Sequence, residues 1–196
     1  MTNETKPILT IDDIIQMTLQ IGEGWATTHA RRLMELIREI GQDMVYDEQT
    51  LTLAAYLHDW GAFPLYFKKG IEHALRSRQV VEAEILPQLD ISPSSGQVLL
   101  EAIELHDYRD YRQPKSTEAL LLREADMLEF LGMMGMAREF ARGPKDVSVC
   151  YRRIIARRTG IEERFSLPRA QKIAQTRLER MNRCLARLLE ESFGML

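Results

Sequence analysis

Cysteine is scarce in this sequence, and its two cysteines do not form a recognisable site. Cys150 and Cys184 fall on separate helical patterns, with no CxxC spacing and no histidine beside them. A zinc site or a redox dithiol needs such neighbours. We therefore expect two reduced thiols in the core, with neither a disulfide nor a cysteine-bound metal.

Long apolar runs are missing as well. No stretch approaches the roughly 20 apolar residues that span a bilayer, so the pattern excludes a membrane-spanning class. The N-terminal segment MTNETKPILT has no basic patch followed by an apolar run, and we expect a cytoplasmic protein. No Pro/Gly-rich linker interrupts the 196 residues, so we expect residues 1–196 to form a single domain.

Acidic residues are few in the C-terminal quarter. Residues 138–187 hold 14 Lys and Arg against five Asp and Glu, although the whole chain has a net charge of −3. The arginines recur at helical spacing without interleaved aromatic residues, which is typical of a solvated or acid-paired helix face. Nucleic acid is therefore not expected as a partner. Binding of a phosphate-rich ligand to this face is the alternative interpretation. Pairing of the long last helix with that of a second subunit, to form a homodimer, is also left open.

Strand-like alternation is also lacking. Apolar residues recur every three to four positions, which predicts an all-α fold, a single bundle of about seven to nine helices. Thr10 and Asp13 are placed as a capping box that begins a helix ending near Ile21, and a second helix is expected over 27–40. Further helix starts are marked by capping residues, at Asp47 or its neighbours, at Ser92 or Ser94, and at Ser166 with Pro168.

The chain has only four histidines, and three of them share a helix face with apolar residues. His29, His58 and His106 have this placement, and so does Asp126. A hydrogen-bonded core position is the alternative for any one of them. Burying several imidazoles and carboxylates without partners would be costly, so their common interior favours a bound cation. Imidazole and carboxylate ligands without thiolate suit iron, manganese, cobalt, nickel or zinc, and magnesium less well.

The order of these residues is similar to that of a known superfamily. His29, the pair His58 and Asp59 in LAAYLHDWGAF, and Asp126 in LLREADMLEFLG resemble the H…HD…D signature of the HD-domain metal-dependent phosphohydrolases. The segment ADMLEFLGMMGMAREFARG is similar to the small stand-alone bacterial HD hydrolases. The resemblance implies an HD core at 25–135, and we expect the basic helices at 144–192 to pack on it.

The resemblance also implies one or two divalent ions per chain. In members with two metals, the aspartate of the HD pair bridges both ions, which gives this role to Asp59. The first site would then be completed by His29, His58 and Asp126. His73 and His106 would hold the second ion. A mononuclear site without these two histidines is the alternative, in which His73 is a phosphate contact at the start of its helix.

The implied activity is hydrolysis of a small phosphorylated substrate, a nucleotide or a phosphorylated metabolite, by metal-activated water. His58 and Asp59 would be catalytic. Asp107, beside His106, could orient a ligand, accept a proton or simply be solvated. The cations that could contact substrate phosphate, or could be no more than solvated charges, are Lys68, Lys69, Arg76, Arg109 and Arg112.

Two other classes stay open. One is a di-iron oxygenase of the HD type, and the other is a metal-stabilised sensor or interaction domain without turnover, which would bind through the basic C-terminal helices. The cyclic-di-nucleotide branch is not favoured, because Ala62 and Phe63 follow Gly61 where that branch has HDxGK, and its HH and GYP elements are missing. Diadenosine tetraphosphate hydrolases, which share the six-ligand order, remain a candidate class.

Overall fold

The computed structural model describes residues 8–196, apart from the side chain of Glu23. Over these residues the chain forms eight α-helices and no β-strand, which confirms the all-α prediction. The helices are α1 (Ile11–Ile40), α2 (Glu48–Leu57), α3 (His73–Val80), α4 (Pro93–Leu105), α5 (Thr117–Glu129), α6 (Gly132–Arg142), α7 (Val147–Ile161) and α8 (Pro168–Glu191). In this described part, no helix is both long enough and apolar enough to cross a membrane.

The helices belong to two compact units. The first ends at Arg123 and the second is Glu124–Leu196, so α5 begins in one and ends in the other. Within the first unit α1 packs on α2, and α4 packs on both α2 and α3. Within the second unit α6 packs on α7 and α8. The single domain expected for 1–196, with helices 144–192 packed on its core, stays a prediction.

Side-chain caps begin several of these helices where the sequence predicts them. The hydroxyl of Thr10 accepts a hydrogen bond from the backbone N–H of Asp13. The carboxylate of Asp13 in turn accepts one from the backbone N–H of Thr10. Asp47 caps α2 by accepting hydrogen bonds from the backbone N–H groups of Gln49 and Thr50, and Ser92 caps α4 by accepting one from Ser95. These bonds satisfy donors that the helix itself leaves unpaired.

Helix α1 is continuous, so the prediction of two helices, one ending near Ile21 and the next over 27–40, is wrong. The segment IGEGW suggests a break because glycine weakens a helix interior. The structure gives Gly22 a packing role instead: a Cβ added there would lie 2.6 Å from the ring of Phe63. The absence of a side chain lets this ring pack directly on the helix backbone.

Trp60 anchors the turn that follows α2. Its side chain is fully buried, and its indole N–H donates to the hydroxyl of Thr18 at 3.0 Å. That hydroxyl donates in turn to the backbone carbonyl of Tyr56 at 3.2 Å. The two bonds satisfy buried polar groups and join α1 to the segment that carries Asp59.

The same turn passes very close to the first turn of α3. The backbone N–H of Gly61 donates to the hydroxyl of Ser77 at 2.8 Å. A Cβ added at Gly61 would lie 2.3 Å from the carbonyl oxygen of His73 and 2.6 Å from the backbone nitrogen of Ser77. Both atoms belong to the backbone and cannot rotate away, so only glycine permits this approach.

We expect Gly61→Ala to lower the free energy of unfolding by about 1–3 kcal/mol, because α3 has to move away from the turn. Urea denaturation followed by circular dichroism measures the change. Gly24→Ala is the matched control: a Cβ there meets nothing within 4 Å. Because alanine is the better helix former, this control should unfold with equal or higher free energy. A Gly61→Ala protein as stable as the unmodified chain would contradict the close approach.

Candidate metal centre

Four of the predicted site residues meet where helices of the first unit begin and end. His58 is the C-cap of α2, and His106 is the C-cap of α4. His73 is the first residue of α3, and Asp59 directly precedes the short 3-10 turn Trp60–Ala62. The packing of α2 and α4 therefore fixes the backbone positions of His58, Asp59 and His106. The close packing at Gly61 brings His73, at the start of α3, next to them.

The carboxylate of Asp59 lies between three imidazoles. Its Oδ2 atom is 3.4 Å from Nε2 of His58, whereas its Oδ1 atom is 3.6 Å from Nε2 of His73 and 3.8 Å from Nε2 of His106. Burial raises the pKa of Asp59, but the three histidines together outweigh it and hold the pKa well below its ordinary value. The side chain is therefore an ionised carboxylate whose two oxygens face different histidines.

His58 and His106 are oriented by the same backbone contact. Nδ1 of His58 is 2.9 Å from the carbonyl oxygen of Ala55, and Nδ1 of His106 is 2.7 Å from that of Ile103. A carbonyl oxygen can only accept, so each Nδ1 carries the proton and donates it. Both rings consequently present Nε2 towards Asp59, the arrangement that a metal-binding imidazole needs.

His73 has side-chain neighbours instead of a carbonyl. Its Nδ1 atom is 3.6 Å from a carboxylate oxygen of Asp107 and 3.5 Å from the guanidinium of Arg109. The carboxylate of Asp107 accepts hydrogen bonds from the backbone N–H and from the guanidinium of Arg109. Burial raises the pKa of Asp107, but these hydrogen bonds from Arg109, with the two nearby histidines, bring it below its ordinary value.

The donor set fits a divalent transition metal. His58, Asp59 and His106 each offer a ligand atom within 4.8 Å of the others. Nε2 of His73 is 3.1 Å from Nε2 of His106. Two imidazoles that bind one ion at about 2.1 Å place their nitrogens roughly 3.0–3.4 Å apart. Imidazole and carboxylate without thiolate match iron, manganese, cobalt, nickel or zinc.

The remaining two predicted ligands lie on α1 and α5. His29 is buried, and its ring centroid is 5.3 Å from that of His58. Asp126 is buried on the part of α5 that belongs to the second unit. Their assignment as ligands stays a prediction.

The predicted phosphate contacts differ in their surroundings. Lys68 and Lys69 are exposed in the segment that leads to α3, and Arg109 lies beside His73. The Nε–H of Arg76 donates to the backbone carbonyl of Tyr66 at 2.7 Å, so this atom already has a structural partner. The role of these four cations as contacts for substrate phosphate stays a prediction.

Arg112 is occupied by carboxylates. It pairs with Asp110 of its own loop and with Glu104 of α4. These contacts favour the interpretation of Arg112 as a charge that organises the loop.

The sequence analysis did not predict a cleft of ≈510 Å³ beside these residues. It is lined by the start of α3, the end of α4 and the loop 107–112, and we call it the His73 cleft. Its lining comes from three segments that are apart in sequence, so no local pattern could have indicated it.

A family model described as the HD domain matches residues 27–131. This chain belongs to the HD domain family. The matched range contains all six predicted ligands. No curated protein matches the chain.

Solved structures share the fold over nearly the whole chain. A predicted HD superfamily hydrolase from an uncultured Thermotogales bacterium is 24% identical, with a TM-score of 0.63 over 92% of this chain and 90% of that one. Bacillus subtilis YpgQ in complex with ADP is 20% identical, with a TM-score of 0.68 over 92% and 94%. An HD-superfamily hydrolase from Bacillus thuringiensis is 19% identical, with a TM-score of 0.63 over 94% and 97%.

We expect Asp59→Ala to abolish stable binding of Mn²⁺, because the variant removes the one carboxylate that all three histidines face. Elemental analysis after gel filtration measures the bound metal, and circular dichroism checks that the helices remain. Asp12→Ala, which removes an exposed carboxylate in the first turn of α1, is the control and should keep the original metal content. Undiminished metal in the Asp59→Ala protein would exclude this centre.

Proposed function

We propose that this HD-domain protein is a metal-dependent phosphohydrolase whose substrate is a small phosphorylated molecule, in particular a nucleotide. The placement of Asp59 carries the proposal. One of its carboxylate oxygens faces His58, and the other faces His73 and His106. A carboxylate with this placement can serve two neighbouring ions, which is the arrangement of two-metal phosphohydrolysis.

The proposed ligand set has two parts that share Asp59. His73 and His106 contribute to the second ion, and their Nε2 atoms already lie close together. The first ion would be held by His29, His58 and Asp126; we include Asp126 because of the family signature and its burial. We favour two ions over the single-ion alternative. A single site would not explain why both His73 and His106 point Nε2 towards Asp59.

A divalent ion held there would lower the pKa of water from about 16 towards 7 and would offset charge on a phosphoryl group. The chain's own residues keep the centre in shape. The backbone carbonyls of Ala55 and Ile103 prevent His58 and His106 from turning, since rotation would break a buried hydrogen bond. Asp107 lies beside Nδ1 of His73 and can accept a hydrogen bond from a proton on that atom, which keeps Nε2 of the ring available as a ligand.

A nucleotide is favoured by the substrate side of the centre. YpgQ, which shares the fold, is in complex with ADP. In this chain the side chain of Arg109 is 57% exposed, and its guanidinium lies beside His73, where it can donate to a phosphate oxygen. Lys68 and Lys69 are exposed in the segment before α3 and add positive charge shortly before His73 in the chain.

One experiment separates this proposal from the two other classes. Protein purified without added metal is loaded anaerobically with Mn²⁺ or Fe²⁺, transferred to air-saturated buffer and offered nucleoside mono-, di- and triphosphates. We expect metal-dependent release of phosphate or pyrophosphate that a chelator stops, without oxygen uptake. Oxygen uptake without phosphate release would indicate an oxygenase. The absence of both activities would indicate a binding module. Either of these two results would overturn the proposal.

His73→Ala and His106→Ala should each lower the metal content from about two ions to about one per chain, because the first site keeps its own ligands. Hydrolysis should fall much further than metal content, since one ion cannot reproduce the effect of two. Elemental analysis and phosphate release measure the two quantities on the same samples.

Two controls accompany these variants. Circular dichroism should remain unchanged, and Gln88→Ala, a polar substitution in a short 3-10 turn that holds no proposed ligand, should keep both metal and activity. If the unmodified chain never exceeds one ion and both histidine variants hydrolyse normally, the second site does not exist.

A further inference from the structure

The His73 cleft adjoins the candidate metal centre without containing its ligands. Asp107 and Arg109 belong to the cleft lining, and both also lie beside Nδ1 of His73. The cleft volume of ≈510 Å³ falls in the range of about 300–1,000 Å³ typical of small-molecule sites. A molecule bound at the centre can therefore extend into this cleft.

The charges of the cleft do not suit a phosphate chain. Four carboxylates line it, from Glu72, Glu104, Asp107 and Asp110, against two guanidiniums. Arg109 is paired with Asp107, and Arg112 with Asp110 and Glu104. The excess of negative charge would repel a polyanion. The phosphates of a substrate therefore lie on the side of Asp59 and His73, where Arg109 at the edge of the cleft can reach them, and the cleft itself is left for an uncharged part of the molecule.

The rest of the lining suits a flat apolar group. Tyr111 is 81% exposed on the loop, and Leu75 of α3 is 38% exposed. An exposed tyrosine ring offers a face on which an aromatic ring can stack. The two guanidiniums and the carboxylates of Asp107, Asp110 and Glu104 already pair with one another. One oxygen of Glu72 faces Arg109 at 3.6 Å and the side chain is 79% exposed, so this carboxylate can accept a hydrogen bond from a ligand.

From these observations we infer that the His73 cleft binds the base of a nucleotide, an uncharged aromatic ring that carries an exocyclic amino group. Tyr111 stacks on the ring, and the carboxylate of Glu72 accepts from the amino group. The inference rests on the proposed function, because it names the part of the substrate that lies outside the metal centre.

The test measures the binding of adenosine and inosine to the Mn²⁺-loaded protein by isothermal titration calorimetry. The two nucleosides differ in having an amino group or an oxo group at the same ring position. Adenosine should bind more tightly than inosine. Tyr111→Ala should weaken adenosine binding at least fivefold, and Tyr111→Phe should retain it, because stacking needs the ring alone.

Phe67→Ala is the matched control, since Phe67 is also an exposed aromatic residue, at 62%, but is not part of the cleft lining. It should leave adenosine binding unchanged. The inference is overturned if adenosine does not bind, if inosine binds equally or more tightly, or if the loss follows Phe67→Ala and not Tyr111→Ala.

Adenosine has no phosphate, so its binding does not depend on hydrolysis. A protein that binds adenosine through Tyr111 but hydrolyses no phosphate ester contradicts the proposed function alone. A protein that hydrolyses nucleotides while Tyr111→Ala leaves their KM and adenosine binding unchanged contradicts the cleft assignment alone.

Discussion

The backbone at Gly61 must lie almost in contact with the first turn of α3, and the geometry of the centre depends on this approach. Trp60 holds one side of the turn in the core, and the hydroxyl of Ser77 holds the other through the N–H of Gly61. His73 opens α3 and thus reaches Asp59 from a direction that neither α2 nor α4 supplies. A wider turn would leave Asp59 facing two imidazoles instead of three.

Much of this arrangement could be predicted because its signals are local. The caps at Thr10, Asp47 and Ser92 depend on residues within one helical turn, and the structure contains all three. The order of histidines and aspartates predicted the HD family, which the matched range confirms. Their apolar helix faces predicted the burial of His58 and His106.

Other features depend on contacts that no local pattern contains. Helix α1 continues through IGEGW because Phe63, some forty positions later, packs at Gly22. Arg76 has the spacing of a phosphate contact, yet its Nε–H donates to a loop carbonyl. The His73 cleft joins three separate segments, and its charge balance depends on which carboxylate each arginine meets. Such pairings follow from the tertiary structure rather than from residue spacing.

The burial of Trp60 makes the centre optically visible. The chain has two tryptophans, Trp25 and Trp60, and both belong to the first unit. Trp60 directly follows Asp59 in the chain, is fully enclosed and stacks on Tyr66 with ring centroids 5.5 Å apart. Tryptophan fluorescence therefore reports on the surroundings of these two side chains in the first unit, whereas far-ultraviolet circular dichroism averages over all helices. Comparing the two signals during denaturation distinguishes loss of the centre from melting of α6, α7 and α8.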